Sequence, residues 1–222
     1  DFALFNDLKG IGIWALGYDA GRTELWDLLY AKFGESAPPM KPSRLLIKNI
    51  GGGSIKIDFQ GAENASEYIV LRGSLDIVGG LDTLGVYTDR PIIIDDLNAG
   101  ETYFLSIAAK NSLGTSEPTE MLGVVPSSEQ VDFLIVNGFD RVSGTSNTFD
   151  FIRQHGSSIN SNGRAFDSAS NEAIIEEDIN IMEYQFVDWI LGEEGTSTSV
   201  FSNIEQNTIK TYLESGRFLF TS

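Results

Sequence analysis

Few residues in this sequence could carry chemistry. There is one histidine, His155, and no cysteine. Thiolate nucleophiles, disulfides, cysteine-ligated zinc and multi-histidine metal sites are therefore excluded, and the reading calls for no metal and no cofactor. A serine nucleophile on a strained elbow would need a G-x-S-x-G turn, and the sequence has none. What remains is a set of polar residues just after two apolar runs. Asn137, Asp140 and Arg141 follow the run Asp132 to Asn137, and Glu193 and Glu194 follow the run near Gln185 to Leu191. In an open parallel sheet such strand ends are where ligands bind, so Asp140, Arg141, Glu193 and Glu194 are pocket candidates. The three carboxylates suit either a bound cation or a solvated acidic loop. His155, within Arg153-Gln154-His155-Gly156, reads as a capping or surface residue beside a helix end rather than as a base.

The elements that would position these residues follow α/β grammar. After the two strands, Ile204, Thr208, Ile209 and Leu213 predict one apolar face on a helix from Ser202 to Ser215, ended by Gly216 and followed by a strand from Arg217 to Thr221. Between the first two strands lies a polar stretch. The chain of 222 residues, 41% hydrophobic and 21% charged, is globular in composition and long enough for more than one folding unit. Its formal charge of −17 would repel a phosphate backbone, which excludes nucleic acid as a partner. Acidity is concentrated after Pro126, where 15 acidic residues stand against 5 basic ones. No apolar run approaches the ~18 residues of a membrane span. Asp1 begins without a signal peptide and the last strand stops without a loop, so both ends read as boundaries inside elements.

Earlier in the chain the pattern differs. Ile55, Ile57 and Phe59, then Tyr68 and Val70, then Tyr103, Leu105, Ile107 and Ala109 alternate with period two between Gly-, Asn- and Asp-rich turns, which predicts an independent antiparallel sandwich over Lys41 to Pro126. Three prolines mark Glu35 to Pro42 as a linker. Before it, Gly10 to Leu16 reads as a strand buried on both faces. Leu25, Leu28, Leu29 and Phe33 read as a helix after the N-cap Thr23. One strand and one helix cannot enclose a core.

Three resemblances sharpen this. Ile11 to Leu29 (IGIWALGYDAGRTELWDLL) resembles the last strand and helix of the catalytic barrel of family 18 glycoside hydrolases, the chitinase and peptidoglycan-hydrolase group. In that family a Trp at the end of the last strand forms the floor of the sugar site, which the resemblance places at Trp14. From the strand alone Trp14 reads as core; with its flanks in register it reads as the sugar floor. Trp26 is a packing residue in either case, and Asp19 is a turn-former. The family's acid lies in a DxxDxDxE pattern that this sequence lacks, so the chain by itself is expected to be inactive as a glycosidase.

Leu97 to Ser116 (LNAGETYFLSIAAKNSLGTS) resembles the late strands of a fibronectin type III domain, with Leu97 and Tyr103 at the tyrosine corner, Asn111 and Gly114 in the next turn, and Phe59 where the family has a Trp. Its exposed-face residues include no aromatic row, which implies a spacer. The pieces FLIVNGFDR, FDSASNEA and YQFVDWILGEEGT resemble α/β domains of secreted bacterial proteins of xanthan-lyase-like or amidase-like type, with a flavodoxin-like sheet.

The expected organisation is therefore multidomain: a β8-α8 remnant of a TIM barrel over 1–36, a linker over 37–42, a fibronectin type III β-sandwich over 43–126, and an incomplete α/β flavodoxin-like open sheet over 127–222. The function it implies is that of a fragment of a secreted or cell-surface bacterial glycoside hydrolase. Its partner would be a polysaccharide or peptidoglycan glycan containing N-acetylglucosamine, with Trp14 its substrate-binding residue. Two other readings stand beside it: a non-catalytic cell-surface or glycan-binding array, and a terminal α/β domain that is itself a hydrolase of amidase type.

Overall fold

The computed structural model describes residues 26, 29–30, 37–73, 80–139, 151–192 and 200–222. The chain divides into two compact units, Asp1–Ala37 and Pro38–Ser222. Of the first, only Trp26, Leu29 and Tyr30, which are helical, and Ala37 are described; the expected barrel strand and most of the expected barrel helix lie outside the described residues.

The second unit begins with a sandwich. Strands β1 (Ser43–Gly51), β2 (Ser54–Gln60) and β5 (Ile92–Ile94) form one antiparallel layer. The facing layer is β4 (Leu81–Tyr87), β3 (Glu67–Gly73), β6 (Tyr103–Asn111) and, along the other edge of β6, β7 (Gly114–Thr115) and β8 (Leu122–Val124). The alternation seen in the sequence sets the core: Ile55, Ile57, Phe59, Tyr68, Val70, Tyr103, Leu105, Ile107 and Ala109 are all buried between the layers. Phe59 meets Tyr68 edge to face at 4.8 Å, filling space with two rings. The Tyr103 hydroxyl accepts from Asn98 N at 3.1 Å and donates to Glu101 Oε2 at 3.1 Å, which fixes the corner before β6. Asn111 Oδ1 accepts from the amides of Leu113 and Gly114 to close the turn into β7.

The α/β layer follows: β9 (Phe133–Asn137), α1 (Phe151–Ser161), β10 (Phe166–Ser170), α2 (Asn171–Ile175), a 3-10 turn (Ile181–Glu183), β11 (Phe186–Ile190), α3 (Asn203–Glu214) and β12 (Phe218–Thr221). The order β12-β11-β9-β10 is parallel throughout. Helix α1 covers one face through Ile152, against Ile135, Phe166 and Ile190. Helices α2 and α3 cover the other through Ala173, Ile174, Ile209 and Tyr212, against Leu134, Val136, Ala169, Val187 and Trp189.

The two layers are not separate bodies. β10 pairs antiparallel with β1, so one seven-stranded sheet runs β12-β11-β9-β10-β1-β2-β5. Successive residues of β1 serve different cores: Leu45 and Ile47 enter the sandwich, Leu46 the α/β layer. Where the β1–β10 ladder ends, side chains take over. Asp167 Oδ1 accepts from Asn49 N at 2.8 Å and Asn49 Nδ2 at 2.9 Å, Asp167 Oδ2 accepts from the Tyr184 hydroxyl at 2.7 Å, and Asn49 also holds Val125 O and Ser127 N. The outer side of β6 and β8 is closed as well, since Phe104, Met121 and Val125 pack with Phe166 and Ile152.

Three sequence expectations are thereby corrected. The sandwich is not independent, because β1 and β6 are buried on both sides. The stretch 138–184, read only as polar, contains α1, β10 and α2. The buried face of α3 is Glu205, Ile209 and Tyr212, while Ile204 and Leu213 are exposed. Tyr212 is drawn inward because its hydroxyl reaches Tyr184 O and Phe218 O, and burial pushes its pKa up to about 12. Helix ends follow rule: Ser202 and Glu205 form a capping box, and Gly216, with φ +82°, takes the left-handed position after the last turn.

The joint has measurable consequences. Asn49→Ala strands Ser127 N, Val125 O and part of Asp167 without partners, an expected loss of about 2–3 kcal/mol. Hydrogen exchange should show β2 and β9 amides losing protection together, in one cooperative transition. Asp167 has a pH signature of its own. Burial raises its carboxyl above the usual range, while the hydrogen bonds from Asn49 and Tyr184 oppose that rise. The folded chain thus holds this proton more tightly than the unfolded chain. The group adds stability as pH falls through its raised folded value toward the ordinary ~3.9, and loses it as pH rises. Denaturant midpoints of wild type and Asp167→Asn between pH 7 and 4 should shift relative to each other in the wild type's favour on acidification.

Candidate functional site

The parallel strands fix where a site can form. The chain leaves β9 to one side through α1 to β10, then crosses back beneath α2 to β11 on the other side of β9. The strand order therefore reverses between β9 and β11, the place at which open α/β sheets in general take ligands, outside the carboxyl ends of the strands. In register at that edge stand Ser170, Asn137 and Ile190. Asn137 is buried and its amide donates to Phe139 O at 3.2 Å. The strands stay closed one step further, Gly138 N donating to Ile190 O at 2.8 Å. Beside them Trp189 lies fully buried against Gly138, where a Cβ would fall 2.1 Å from the indole Nε1. Ser170 Oγ and Trp189 Nε1 are buried at this edge with no hydrogen-bond partner among the described residues.

Trp14, Asp140, Arg141, Glu193 and Glu194 all lie outside the described residues. Of the residues singled out at strand ends, Asn137 is the one placed, at the end of β9. The segments 140–150 and 193–199 that carry the other four begin within three residues of the β9 and β11 ends. The amino end of α3 is already occupied: Glu205 Oε2 accepts from Ser202 N at 2.7 Å and Oε1 from Asn171 Nδ2 at 3.1 Å. That carboxylate answers the positive helix end, so an anionic ligand gains little there.

His155 is neither a cap nor a free surface residue. It sits inside α1 with Nδ1 2.7 Å from Asp188 Oδ2, on the middle of β11, and its ring centroid is 6.4 Å from that of Phe220. Sequence reasoning overlooked Asp188, whose alternation within Phe186–Ile190 puts it on the α1 face; that phase was the available signal. The pair lies two residues back from the strand end, which suits locking α1 to the sheet better than reaching a ligand.

A groove of about 410 Å³ opens beside Asp167, lined also by Lys48, Asn49, Glu129, Glu183 and Tyr184. It sits at the opposite, amino-terminal edge of the parallel strands. Its buried polar groups bond one another, and burial first, then the Asp167 charge, holds the Tyr184 hydroxyl far above its ordinary pKa. That is a structural joint. Among the described residues no group of three or more His, Cys, Asp or Glu could hold a metal ion, and no helix is long and apolar enough to cross a membrane.

No family model and no curated protein matches the chain. Solved structures are similar to part of it. FN3tt shares 13% identity over 42% of this chain and 99% of its own, with TM-score 0.37. The twitchin kinase region from C. elegans shares 21% over 41% of this chain and 17% of its own, with TM-score 0.36. The fibronectin type III domain of human fibronectin type III domain containing protein 3 shares 17% over 42% and 90%, with TM-score 0.35. Part of the chain is a fibronectin type III-like sandwich, on the strand order and tyrosine corner described above.

The carboxyl edge of the strands leaves no room for a side chain at Gly138. Gly138→Ala would press on Trp189 Nε1 and on Ile190 O, the latter 2.9 Å away, and should cost about 1–3 kcal/mol in chemical denaturation. His155→Ala should cost a similar ~1–3 kcal/mol by leaving the Asp188 carboxylate unpartnered, and the further change Asp188→Leu should recover part of that loss.

Proposed function

We propose that this chain is part of a secreted, modular protein acting on N-acetylglucosamine-containing glycans, chitin or peptidoglycan, and that its α/β layer is a flavodoxin-like open sheet that binds ligand without cleaving it. The observation that supports it best is the reversal of strand order between β9 and β11 with helices on both faces, since open α/β sheets take ligands at that point. The ligand class follows from charge and chemistry. A chain of net −17 disfavours polyanions, and the amino end of α3 is filled by Glu205, which leaves uncharged, hydroxyl- and amide-rich ligands as the better match.

Catalysis is assigned to a barrel preceding this chain, on the resemblance of Ile11 to Leu29 and the role it gives Trp14. Here the reading with a non-catalytic glycan-binding array differs only in whether that barrel carries its acid. The amidase-type reading is weaker, because no serine or threonine hydroxyl among the described residues bonds His155.

Chitotetraose and a muropeptide titrated into the ¹⁵N-labelled chain should perturb amides at 137–139, 170–171 and 190–192. Perturbations confined to the sandwich would sink the site. Neither ligand should be cleaved, since general acid catalysis contributes about 10²–10⁴ in rate and the family's acid is missing. Release of peptide from the muropeptide would select the amidase reading instead.

A further inference from the structure

Three acids stand in a row after α2, Glu176-Glu177-Asp178, and Arg44 of β1 answers two of them. Its guanidinium holds Asp178 with two hydrogen bonds and lies 3.8 Å from Glu176. The middle acid, Glu177, has no side-chain hydrogen bond or ion pair among the described residues. Its backbone is unusual as well. Glu177 takes a left-handed φ of +60°, which glycine adopts freely and which costs a residue that carries a Cβ. The other described non-glycine residues with positive φ are Arg44, tied down by Asp178, and Asn64 and Asp96, types that tolerate this conformation. Local structure would be served better by glycine at 177, so the carboxylate there calls for a role outside the fold.

Glu177 stands on the rim of a groove of about 520 Å³, within the range of roughly 300–1,000 Å³ usual for ligand clefts. The groove lies between α2, with the 3-10 turn that follows it, and α3. Because α2 packs on β10 and β1 while α3 packs beside β12, the groove is on the inner side of α3, away from the sheet edge at β12. Its floor is apolar: Ile174, Ile179 and Ile181 are buried and Met182 is partly so. Asn180 lines one side, its Oδ1 accepting from Met182 N at 3.0 Å. Asn207 and Thr208 of α3 line the other, and their side chains have no hydrogen-bond partner among the described residues.

We infer that this groove binds a short extended peptide segment of a partner protein, one in which an apolar side chain neighbours a lysine or arginine. The floor takes the apolar side chain out of water. Asn180, Asn207 and Thr208 offer donors and acceptors on both sides, which matches the alternating N–H and C=O groups of an extended backbone. Glu177 meets the cation. No described cation lines the groove to compete with it, and the net charge of −17 adds long-range attraction for a basic segment. A sugar fits less well, since the described lining includes no aromatic ring to serve as its platform. The exposed ion pair contributes little and one buried side chain somewhat more, so a tetrapeptide binds with a dissociation constant on the order of 1 mM. This site is separate from the carboxyl ends of β9 and β11 and does not rest on the glycan reading.

Titration of the whole ¹⁵N-labelled chain with acetyl-Ala-Leu-Lys-Ala-amide, up to about ten times that constant, tests this. Amides at 174–182 and 207–211 should shift and saturate, less readily as salt screens the pair. Norleucine in place of the lysine, or serine in place of the leucine, should weaken binding several-fold. Glu177→Gln should weaken it about two- to five-fold. Glu177→Gly should weaken it as much while unfolding at the same or a higher denaturant concentration, because glycine suits the left-handed position. Thr208→Lys, with circular dichroism unchanged, should abolish it. Absence of shifts at the highest peptide concentration overturns the inference, as do equal affinity for the norleucine peptide and shifts confined to 137–139 and 190–192. A Glu177→Gly chain that unfolds more easily overturns it too, since Glu177 would then serve the fold. A chitosan tetramer offers amines without an apolar side chain; if it shifts the same amides as strongly, the assignment to a peptide fails.

Discussion

Everything in the second unit hangs on β1. A strand at the margin of a sandwich ordinarily shows one face to a core and the other to water. This one is buried on both faces and paired on both edges: β2 on one side, β10 on the other. Its side chains divide accordingly, with Leu45 and Ile47 in one core and Leu46 in another. Burying a single leucine of this kind is worth about 1.5–3 kcal/mol, yet the greater consequence is geometric. A strand shared between two cores cannot shift register for one without shifting for the other.

The polar part of the joint follows from the same constraint. Arg44 grips Asp178 with two hydrogen bonds of 2.7 and 2.5 Å, and Lys48 reaches Glu183 at 2.8 Å, both ends of β1 thereby touching the α/β layer. These pairs are partly exposed and each is worth about 0–1 kcal/mol. The Asn49–Asp167–Tyr184 cluster is different in kind. It stands where the backbone ladder stops, and the groups it satisfies would otherwise be buried without partners, at a cost of ~1–3 kcal/mol for each. The carboxylate at Asp167 costs desolvation energy, which is why its proton affinity rises, but no apolar residue could accept from both the amide and the side chain of Asn49.

How much of this could be read from the sequence depended on which signal a residue carries. The sandwich strands alternate cleanly because one core sets their phase, and Tyr103 with its neighbours marks the corner, so both were legible. β10 was not. Phe166-Asp167-Ser168-Ala169-Ser170 looks like a loop by composition, yet all five residues are buried. Its polar side chains are answered by distant groups: Ser168 exchanges hydrogen bonds with the backbone of Gly123, and Asp167 is held by Asn49 and Tyr184. No local pattern encodes partners 45 or 118 residues away. The buried face of α3 was misassigned for a related reason. Apolarity favoured Ile204 and Leu213, whereas a capping carboxylate and a tyrosine hydroxyl with backbone partners took the inner positions. At the candidate site the strand ends were legible, while Asp188 hid in the alternation of β11.

A shared sheet also changes what the sandwich can be for. A spacer that swings needs an interface that few contacts cross. Here the sandwich is joined to the α/β sheet through β1, its β1-β2-β5 layer continuing that sheet, and it closes one side of the α/β core with Phe104, Met121 and Val125. The carboxyl ends of β9 and β11 are thus held in a sheet whose stiffness comes partly from the sandwich. Binding groups at strand ends gain precision when the strands beneath them are locked. On the proposed function, the sandwich therefore braces the strand ends at which ligand would bind. Strands β2 and β5 reach those ends only through β1 and β10.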